Sequence, residues 1–360
     1  MRLTIGIIVS LVVACSLLGA GRKHNGGEWP PAKPRPLKFV IPAGWPKPPV
    51  NIFANNPLTE EGFQLGRKLF YDGQLSRDGN FPCASCHQQY AAFANYDHDF
   101  SHGINNNFTI RNAPALFNLA WMKQLHWDGA INHIEVQPLA PISNPVEMGE
   151  EINHVLEKLR KDTAYPRMFK AAFGTPEINT ERMMKALTQF VGSILSYNSK
   201  YDKVKRGEAR FTFSEENGYT IYKKNCAACH PEPLFTDNSF RNNGLPLSSF
   251  RPDYGYVKTT GNPQDSFKFK VPSLRNVAIT GPYMHDGRFP SITQVIEHYR
   301  SGIDIKQTGL DSALRKPINL TPFEKNSLTY FLYTLTDSLL IKDPRYATPN
   351  GLTVFNIHPH

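Results

Sequence analysis

The sequence predicts a mainly α protein made of two tandem units of the same kind, with long irregular loops. Three observations predict this. The pattern Cys-x-x-Cys-His occurs at Cys83–His87 and again at Cys226–His230. A second block, Pro114–Asn118, has a counterpart at Pro272–Asn276, 158 residues later (272 − 114). No alternation of polar and apolar residues is sustained as in a half-buried strand, so we expect helices and loops.

Each Cys-x-x-Cys-His copy is the attachment sequence of a c-type haem. Its two cysteines lie on one helical turn, where each can form a thioether to a haem vinyl group, and the histidine that follows can bind the iron. A redox dithiol does not require this histidine, and no further Cys-x-x-Cys is present to complete a zinc cluster. The predicted haem-binding residues are Cys83, Cys86, His87, Cys226, Cys229 and His230.

Composition narrows the function classes. Of the 360 residues, 40% are hydrophobic and 20% are charged, which is typical of a globular protein. Four of the five cysteines belong to the haem motifs, so Cys15 has no partner for a structural disulfide. The net charge of +9 favours docking of acidic redox partners. It does not indicate nucleic-acid binding, because the lysines and arginines are scattered and no binding motif accompanies them.

Residues 1–20 predict an export signal, since Arg2 precedes the apolar run Leu3–Ala14. Val12–Cys15 also resembles a bacterial lipobox, in which Cys15 would carry lipid and attach the protein to a membrane. An ordinary signal peptide is the alternative, and we favour the lipoprotein. Both predict a periplasmic protein, either free or anchored.

The remaining boundaries follow from the prolines and the repeat. Eight prolines lie between Pro30 and Pro49, which excludes a helix and predicts an extended spacer over 21–50. An N-terminal haem domain is expected over 51–200, a C-terminal haem domain over 201–345 and a tail over 346–360. The lysine-rich run Ser199–Arg210 lies at the junction.

Capping residues predict where helices begin. Thr59, followed by two glutamates, predicts an amphipathic helix that leads to the first haem motif. Ser214, also followed by two glutamates, predicts its counterpart before the second motif. Further helices are predicted over Glu181–Tyr197, Ser291–Tyr299 and Leu320–Leu340.

The two copies differ at one position that bears on iron chemistry. Tyr299 follows Asp286 by thirteen residues, and the offset of 158 maps it to Pro141 (299 − 158). A phenol can ligate iron and a proline cannot, so we expect Tyr299 to close the second haem while the first stays open. His298 is an alternative ligand and Met284 a weaker one. An open haem suits the activation of a small oxidant, and a closed haem suits electron transfer.

Three further residues are candidates for chemistry at the open haem. Glu147, six residues after Pro141, can take a proton from hydrogen peroxide and return one to the departing oxygen. A surface carboxylate is the alternative. Trp127 stands where the second copy has His285, and an indole between two haems can pass an electron, although a core tryptophan is equally expected. Gln137, ten residues after Trp127, can hydrogen-bond an oxidant.

These motifs resemble those of the bacterial di-haem cytochrome c peroxidases, including the MauG branch. The resemblance covers about Asn56–Asp343. Beyond the haem motifs it is carried by Arg111–Pro114, Trp127–Gly129, Asn144–Met148, Val271–Asn276 and Met284–Gly287. It implies two tandem cytochrome c-like haem domains with two covalent haem c groups.

The resemblance implies a role for each pocket residue. His87 becomes the proximal ligand of the peroxidatic haem and His230 that of the electron-transfer haem. Tyr299 is similar to the MauG pattern, in which Tyr replaces the Met that other peroxidases place at the sixth position. In the peroxidatic pocket and between the haems, the implied residues are Glu147 as acid/base, Gln137, Pro141 and Trp127.

The resemblance also implies a calcium ion between the haems, held by the side-chain amide of Asn112 and by backbone carbonyls at Thr280 and Pro282. Many members cover the peroxidatic iron at rest with a histidine from the following loop. Here that loop carries His98 and His102, and surface histidines are the alternative.

The implied activity is the reduction of hydrogen peroxide to water with electrons from a small cytochrome c or cupredoxin. One alternative keeps the site but oxidises aromatic residues of a partner protein, as MauG does. Another is a non-enzymatic di-haem electron carrier. A homodimer is a further expectation.

Overall fold

The computed structural model describes residues 33–96, 98–350 and 352. All of them belong to the unit that begins at Lys33. The predicted export signal, with Cys15, lies outside the described residues, and so do residues 353–360 of the predicted tail. No helix among the described residues is long and apolar enough to cross a bilayer.

The described chain is mainly helical, and the predicted fold class is confirmed. Its α-helices, numbered in chain order, are α1 (Glu60–Tyr71), α2 (Cys83–Cys86), α3 (Leu139–Ser143), α4 (Ile152–Lys161), α5 (Tyr165–Phe173), α6 (Thr180–Val191), α7 (Lys200–Lys205), α8 (Phe213–Asn225), α9 (Val257–Thr260), α10 (Ile292–Glu297) and α11 (Pro322–Tyr333).

Short elements connect these helices. A π-helical turn, His298–Gly302, follows α10. The strands β1 (Phe240–Arg241) and β2 (Phe269–Lys270) form an antiparallel pair, with Phe240 opposite Lys270. Turns of 3₁₀-helix are found at Gly73–Leu75, Gln89–Ala91, Ile104–Asn106, Leu119–Trp121, Ile134–Val136, Pro263–Asp265, Val277–Ile279, Ser312–Leu314 and Leu340–Lys342.

Helix α1 begins where the capping pattern predicts, because the Thr59 side chain accepts a hydrogen bond from Gly62 N at 3.1 Å. The predicted cap of α8 is wrong by two residues. Thr212, not Ser214, caps it, since Thr212 and Glu215 form a reciprocal capping box. The Thr-x-x-Glu spacing was present in the sequence and decides the start.

Helices α6 and α11 both end earlier than predicted, and for the same reason. The side chain of Asn118 pairs with the backbone N–H and C=O of Ser196 at 2.9 and 3.1 Å, which draws the chain away from α6. Asn276, 158 residues after Asn118 (276 − 118), accepts from Asp337 N at 2.8 Å after α11. Both asparagines adopt the left-handed conformation, with φ of 56° and 59°, so the repeat extends to backbone geometry.

Each half has its own hydrophobic core, built on one close helix pair. A Cβ on Gly66 of α1 would lie 1.9 Å from Ala186 O of α6, and one on Gly218 of α8 would lie 1.9 Å from Ser327 O of α11. Only glycine permits such backbone approach. The pair α1/α6 in the first half is equivalent to α8/α11 in the second. Helix α2, with Cys83, lies beside the first core, and the turn after α8, with Cys226, lies beside the second.

Residues 33–50 lie along the first half without forming a helix. Leu37 N donates to Leu58 O at 2.9 Å. The ring of Trp45 lies 5.1 Å from that of Trp121 and 4.6 Å from the guanidinium of Arg275. These contacts anchor the proline-rich stretch to the body.

Candidate functional site: two histidine turns and a cavity between the halves

Both Cys-x-x-Cys-His motifs fold into the same turn. His87 N donates to Cys83 O, and His230 N donates to Cys226 O, each at 3.0 Å. The turn brings the two cysteines and the histidine to one side of the chain, as thioether attachment and axial ligation require.

In each motif one ring nitrogen of the histidine is hydrogen-bonded to a backbone carbonyl. Nδ1 of His87 lies 3.0 Å from Phe93 O, and Nδ1 of His230 lies 3.0 Å from Phe235 O. Because Nδ1 donates to a carbonyl, Nε2 keeps its lone pair for a metal, as is usual for ligating histidines. Burial lowers the pKa of His87 to about 4 and also lowers that of His230. Both turns therefore fit a c-type haem.

A cavity of about 310 Å³ lies between the halves, within the size range of cofactor pockets. The first copy contributes twelve residues that lie 158 positions before twelve from the second copy, which shows that both units present the same surface to it. These pairs include Pro114 and Pro272, Leu116 and Leu274, Leu125 and Tyr283, and His126 and Met284.

In the second half, Tyr299 lines this cavity together with Cys226, Cys229 and His230. Burial raises the pKa of Tyr299 to about 12. The neighbouring His298 instead places Nε2 3.1 Å from a backbone carbonyl, that of Asn243, and lies outside the cavity lining. The geometry thus favours Tyr299 over His298 as the predicted iron ligand.

In the first half, Glu147 is held by Asn144, whose Nδ2 donates to Oε1 at 2.9 Å. Burial raises the pKa of Glu147. Its charge also adds to the effect of burial in raising the pKa of Cys86, so the carboxyl lies near the first haem turn. Pro141 is tied to the same segment, since its carbonyl accepts from Met148 N at 3.2 Å. Among the described residues, Pro141 and Glu147 lie outside the cavity lining.

Trp127 lies in the cavity wall between the halves and is hydrogen-bonded to a residue of each half. Its Nε1 donates to Asn112 O, and its carbonyl accepts from Lys270 N, each at 2.8 Å. Its counterpart His285 stacks on Phe269, with ring centroids 3.7 Å apart. The indole is thus held between the two halves, and its place between two haems stays a prediction.

An ion cluster that sequence reasoning missed lies beside Trp127. Arg111 donates to Asp253 through Nε at 2.6 Å and Nη2 at 3.0 Å, and its Nη1 lies 2.6 Å from Asp128 Oδ2. Burial opposes ionisation of Asp253, but the bonds from Arg111 and Lys258 hold its pKa well below the usual range. Arg111 and Asp253 are 142 residues apart, and no local pattern joins them.

The predicted calcium ligands Asn112, Thr280 and Pro282 all line the cavity. Nδ2 of Asn112 donates to the carbonyls of His98 and Asp99 at 3.4 and 3.3 Å, which leaves Oδ1 for a cation. Amide and carbonyl oxygens suit calcium. No cluster of three or more His, Cys, Asp or Glu residues suited to a metal occurs in the described ranges.

His98 and His102, the predicted covers of the first iron, lie together near the first haem turn. Their rings are 5.2 Å apart, and the ring of His102 lies 4.4 Å from that of Phe108. The carbonyl of His102 is 4.0 Å from Cys86 Sγ. Neither histidine is part of the described cavity wall, and their role as covers stays a prediction.

Two further cavity residues, the partly buried His126 and the buried Lys270, were also missed. His126 lies within 3.5 Å of Gln137, between its Nε2 and the amide nitrogen. The offset of 158 maps His126 onto Met284 (284 − 126), so the repeat contained the signal that could have found it. Lys270 donates from Nζ to Gln124 O at 3.0 Å, and burial lowers the pKa of Lys270 to about 8.

Residues 60–210 match the family model of the di-haem cytochrome c peroxidases. The methylamine utilization protein MauG of Methylophilus methylotrophus is 32% identical to this chain, over 92% of the chain and 96% of its own length. The chain belongs to the di-haem cytochrome c peroxidase family. The cytochrome c551 peroxidase of Nitrosomonas europaea is 30% identical over 72% of the chain and 78% of its own length.

A solved structure of the same family agrees with this assignment. It is a MauG-like protein associated with microbial copper homeostasis, 35% identical, with a TM-score of 0.80 over 87% of this chain and 99% of its own. This di-haem peroxidase is therefore an oxidoreductase that uses peroxide and carries two c-type haems. The predicted family, fold class, enzyme class and general function are confirmed. Members of the family are periplasmic c-type cytochromes.

Proposed function

We propose that this di-haem peroxidase reduces hydrogen peroxide at the first haem site and draws electrons through the second from a protein partner. The observation that carries the proposal is a difference between two equivalent positions. Tyr299 lines the cavity beside His230, whereas Pro141 offers the first site no ligand. His87 and His230, with the four cysteines, would hold the haems. When bound, these supply iron for peroxide reduction and electron transfer.

Glu147 is the proposed proton carrier. Reduction of one hydrogen peroxide to two waters consumes two protons and two electrons, so a group that accepts and returns protons beside the oxygen atoms is needed. Burial holds the pKa of Glu147 above its ordinary value. A carboxyl whose pKa lies closer to the working pH can both accept a proton and return one. Asn144 keeps the carboxyl in place through the bond to Oε1.

Trp127 is the proposed path between the haems. Its bonds to Asn112 and Lys270 involve both halves of the chain, so its position follows their relative placement. A calcium ion held by Asn112 Oδ1 and the carbonyls of Thr280 and Pro282 would lie in the same wall. Such an ion would stabilise the region that carries the electron.

Two kinds of electron source are candidates. One is a small cytochrome c or a cupredoxin, and the net charge of +9 suits an acidic partner. The other is an aromatic residue of a partner protein, as in MauG, and the position of Tyr299 favours it because a phenolate stabilises oxidised iron. We further propose export to the periplasm, lipid attachment at Cys15, and a homodimer.

Peroxide consumption with reduced cytochrome c tests the proposal. Rapid turnover supports a cytochrome or cupredoxin donor. Negligible turnover, together with peroxide-dependent oxidation of an aromatic protein side chain, supports the second source. Glu147→Gln should abolish both activities while haem content stays unchanged, and Glu157→Gln on the exposed face of α4 is the matched control. Resting ferric protein that shows only low-spin, ligand-unreactive EPR signals would instead indicate an electron carrier.

A further inference from the structure

His126 has a backbone conformation that side-chain-bearing residues rarely adopt. Its φ is +65°, and Gly129 N closes the turn onto His126 O at 3.4 Å. Met284, its equivalent in the second copy, has φ of +73° in the same kind of turn. Left-handed conformations cost energy in residues other than glycine and cluster at functional sites. Both copies retain the conformation, and both side chains line the cavity.

The second copy shows what this position faces. Asn243 Nδ2 lies 3.5 Å from Met284 Sδ, and the Asn243 side chain also hydrogen-bonds Tyr299. Met284 is therefore next to the residue proposed to close the second haem. Since His126 is the equivalent of Met284 and Pro141 that of Tyr299, His126 should lie next to the face of the first haem that the proposed function leaves open.

The hydrogen bonding of His126 leaves a donor for a ligand. Gln137 Nε2 donates toward His126 Nε2 at 3.5 Å, so the neutral ring carries its hydrogen on Nδ1. Within the described ranges, Nδ1 of His126 has no hydrogen-bond partner. The second copy has Val295 in place of Gln137 (295 − 137 gives the same offset of 158) and Met284 in place of His126. The polar pair therefore belongs to the first half alone.

We propose that His126 is a ligand-binding residue of the first haem site, where its imidazole donates a hydrogen bond to hydrogen peroxide or to a small anion on the open face. Gln137 fixes the ring for this contact. The inference rests on the proposed function, because it adds a second polar group to the site where peroxide is reduced. It assigns to the imidazole a role that neither Glu147 nor Trp127 fills.

Fluoride binding to the ferric holoprotein tests the role directly, because fluoride is a small anion that accepts hydrogen bonds. Optical titration of His126→Asn should show fluoride affinity at least about tenfold weaker, as expected for one hydrogen bond to a charged acceptor. Asn suits the positive φ. His126→Gln, which restores a longer donor, should recover part of the loss. His154→Asn, at an exposed histidine of α4, is the matched control.

The outcomes separate the inference from the proposed function. Equal fluoride affinity in wild type and His126→Asn, with normal haem content and melting temperature, overturns the role of His126 and leaves the open site intact. Tighter binding in His126→Asn, with conversion of a low-spin signal to high spin, overturns it too, because His126 would then be an iron ligand. A wild-type protein that binds no fluoride overturns the open site itself.

Discussion

Replacing Asp253 tests whether the ion cluster around Arg111 joins the two halves beside Trp127. The Asp253 side chain is only 3% exposed and accepts two bonds from Arg111, at 2.6 and 3.0 Å. Removing one partner of a buried ion pair costs about 3–5 kcal/mol, since the other charge stays buried. Arg111 keeps a second partner, because its Nη1 lies 2.6 Å from Asp128. The loss of stability caused by Asp253→Ala should therefore lie at the lower end of this range, about 3 kcal/mol. For 360 residues, at about 2.1 cal/mol/K of unfolding entropy per residue, that lowers the melting temperature by about 4 °C.

Thermal unfolding of the haem-loaded protein, followed by far-UV circular dichroism at pH 7, measures the effect. Asp265→Ala is the control, because Asp265 pairs with Lys268 nearer the surface, where an ion pair contributes about 0–1 kcal/mol. The folded-state pKa of Asp253 is depressed, so its contribution is present above the ordinary value of 3.8 and is lost as pH falls through the lower folded-state value. The difference in melting temperature between Asp253→Ala and wild type should therefore stay constant between pH 5 and 7. A melting temperature no lower than that of the control would refute the reasoning.

The remaining predictions concern the second half. Tyr299→Phe should change the absorption and EPR spectra of the second haem, and His298→Gln should not; the reverse result would make His298 the ligand. Gly218→Ala should destabilise the protein by about 1–3 kcal/mol in urea unfolding, because the new Cβ would lie 1.9 Å from Ser327 O. Glu216→Ala, exposed on the same helix, is its control, and equal stability of the two variants would contradict the close approach of α8 and α11.

The sequence determined whatever depends on short spacing or on the repeat. The two Cys-x-x-Cys-His turns required only five consecutive residues each, and Thr59 required only the helix it caps. The offset of 158 placed Asn276 on Asn118, and the structure gives both the same left-handed conformation and equivalent contacts. The cap predicted at Ser214 was wrong, but the correct cap also follows from local sequence, because Thr212 and Glu215 have the spacing of a capping box.

Only the tertiary structure decided how neighbouring candidates are used. Tyr299 and His298 are adjacent, and no spacing rule separates them; the π-helical turn directs one to the cavity and the other to the carbonyl of Asn243. The pairing of Arg111 with Asp253 spans 142 residues, beyond the reach of any periodicity. The physical reason is that a periodic pattern reports which face of an element is apolar. Which buried side chains meet across the cavity depends on how the two halves pack.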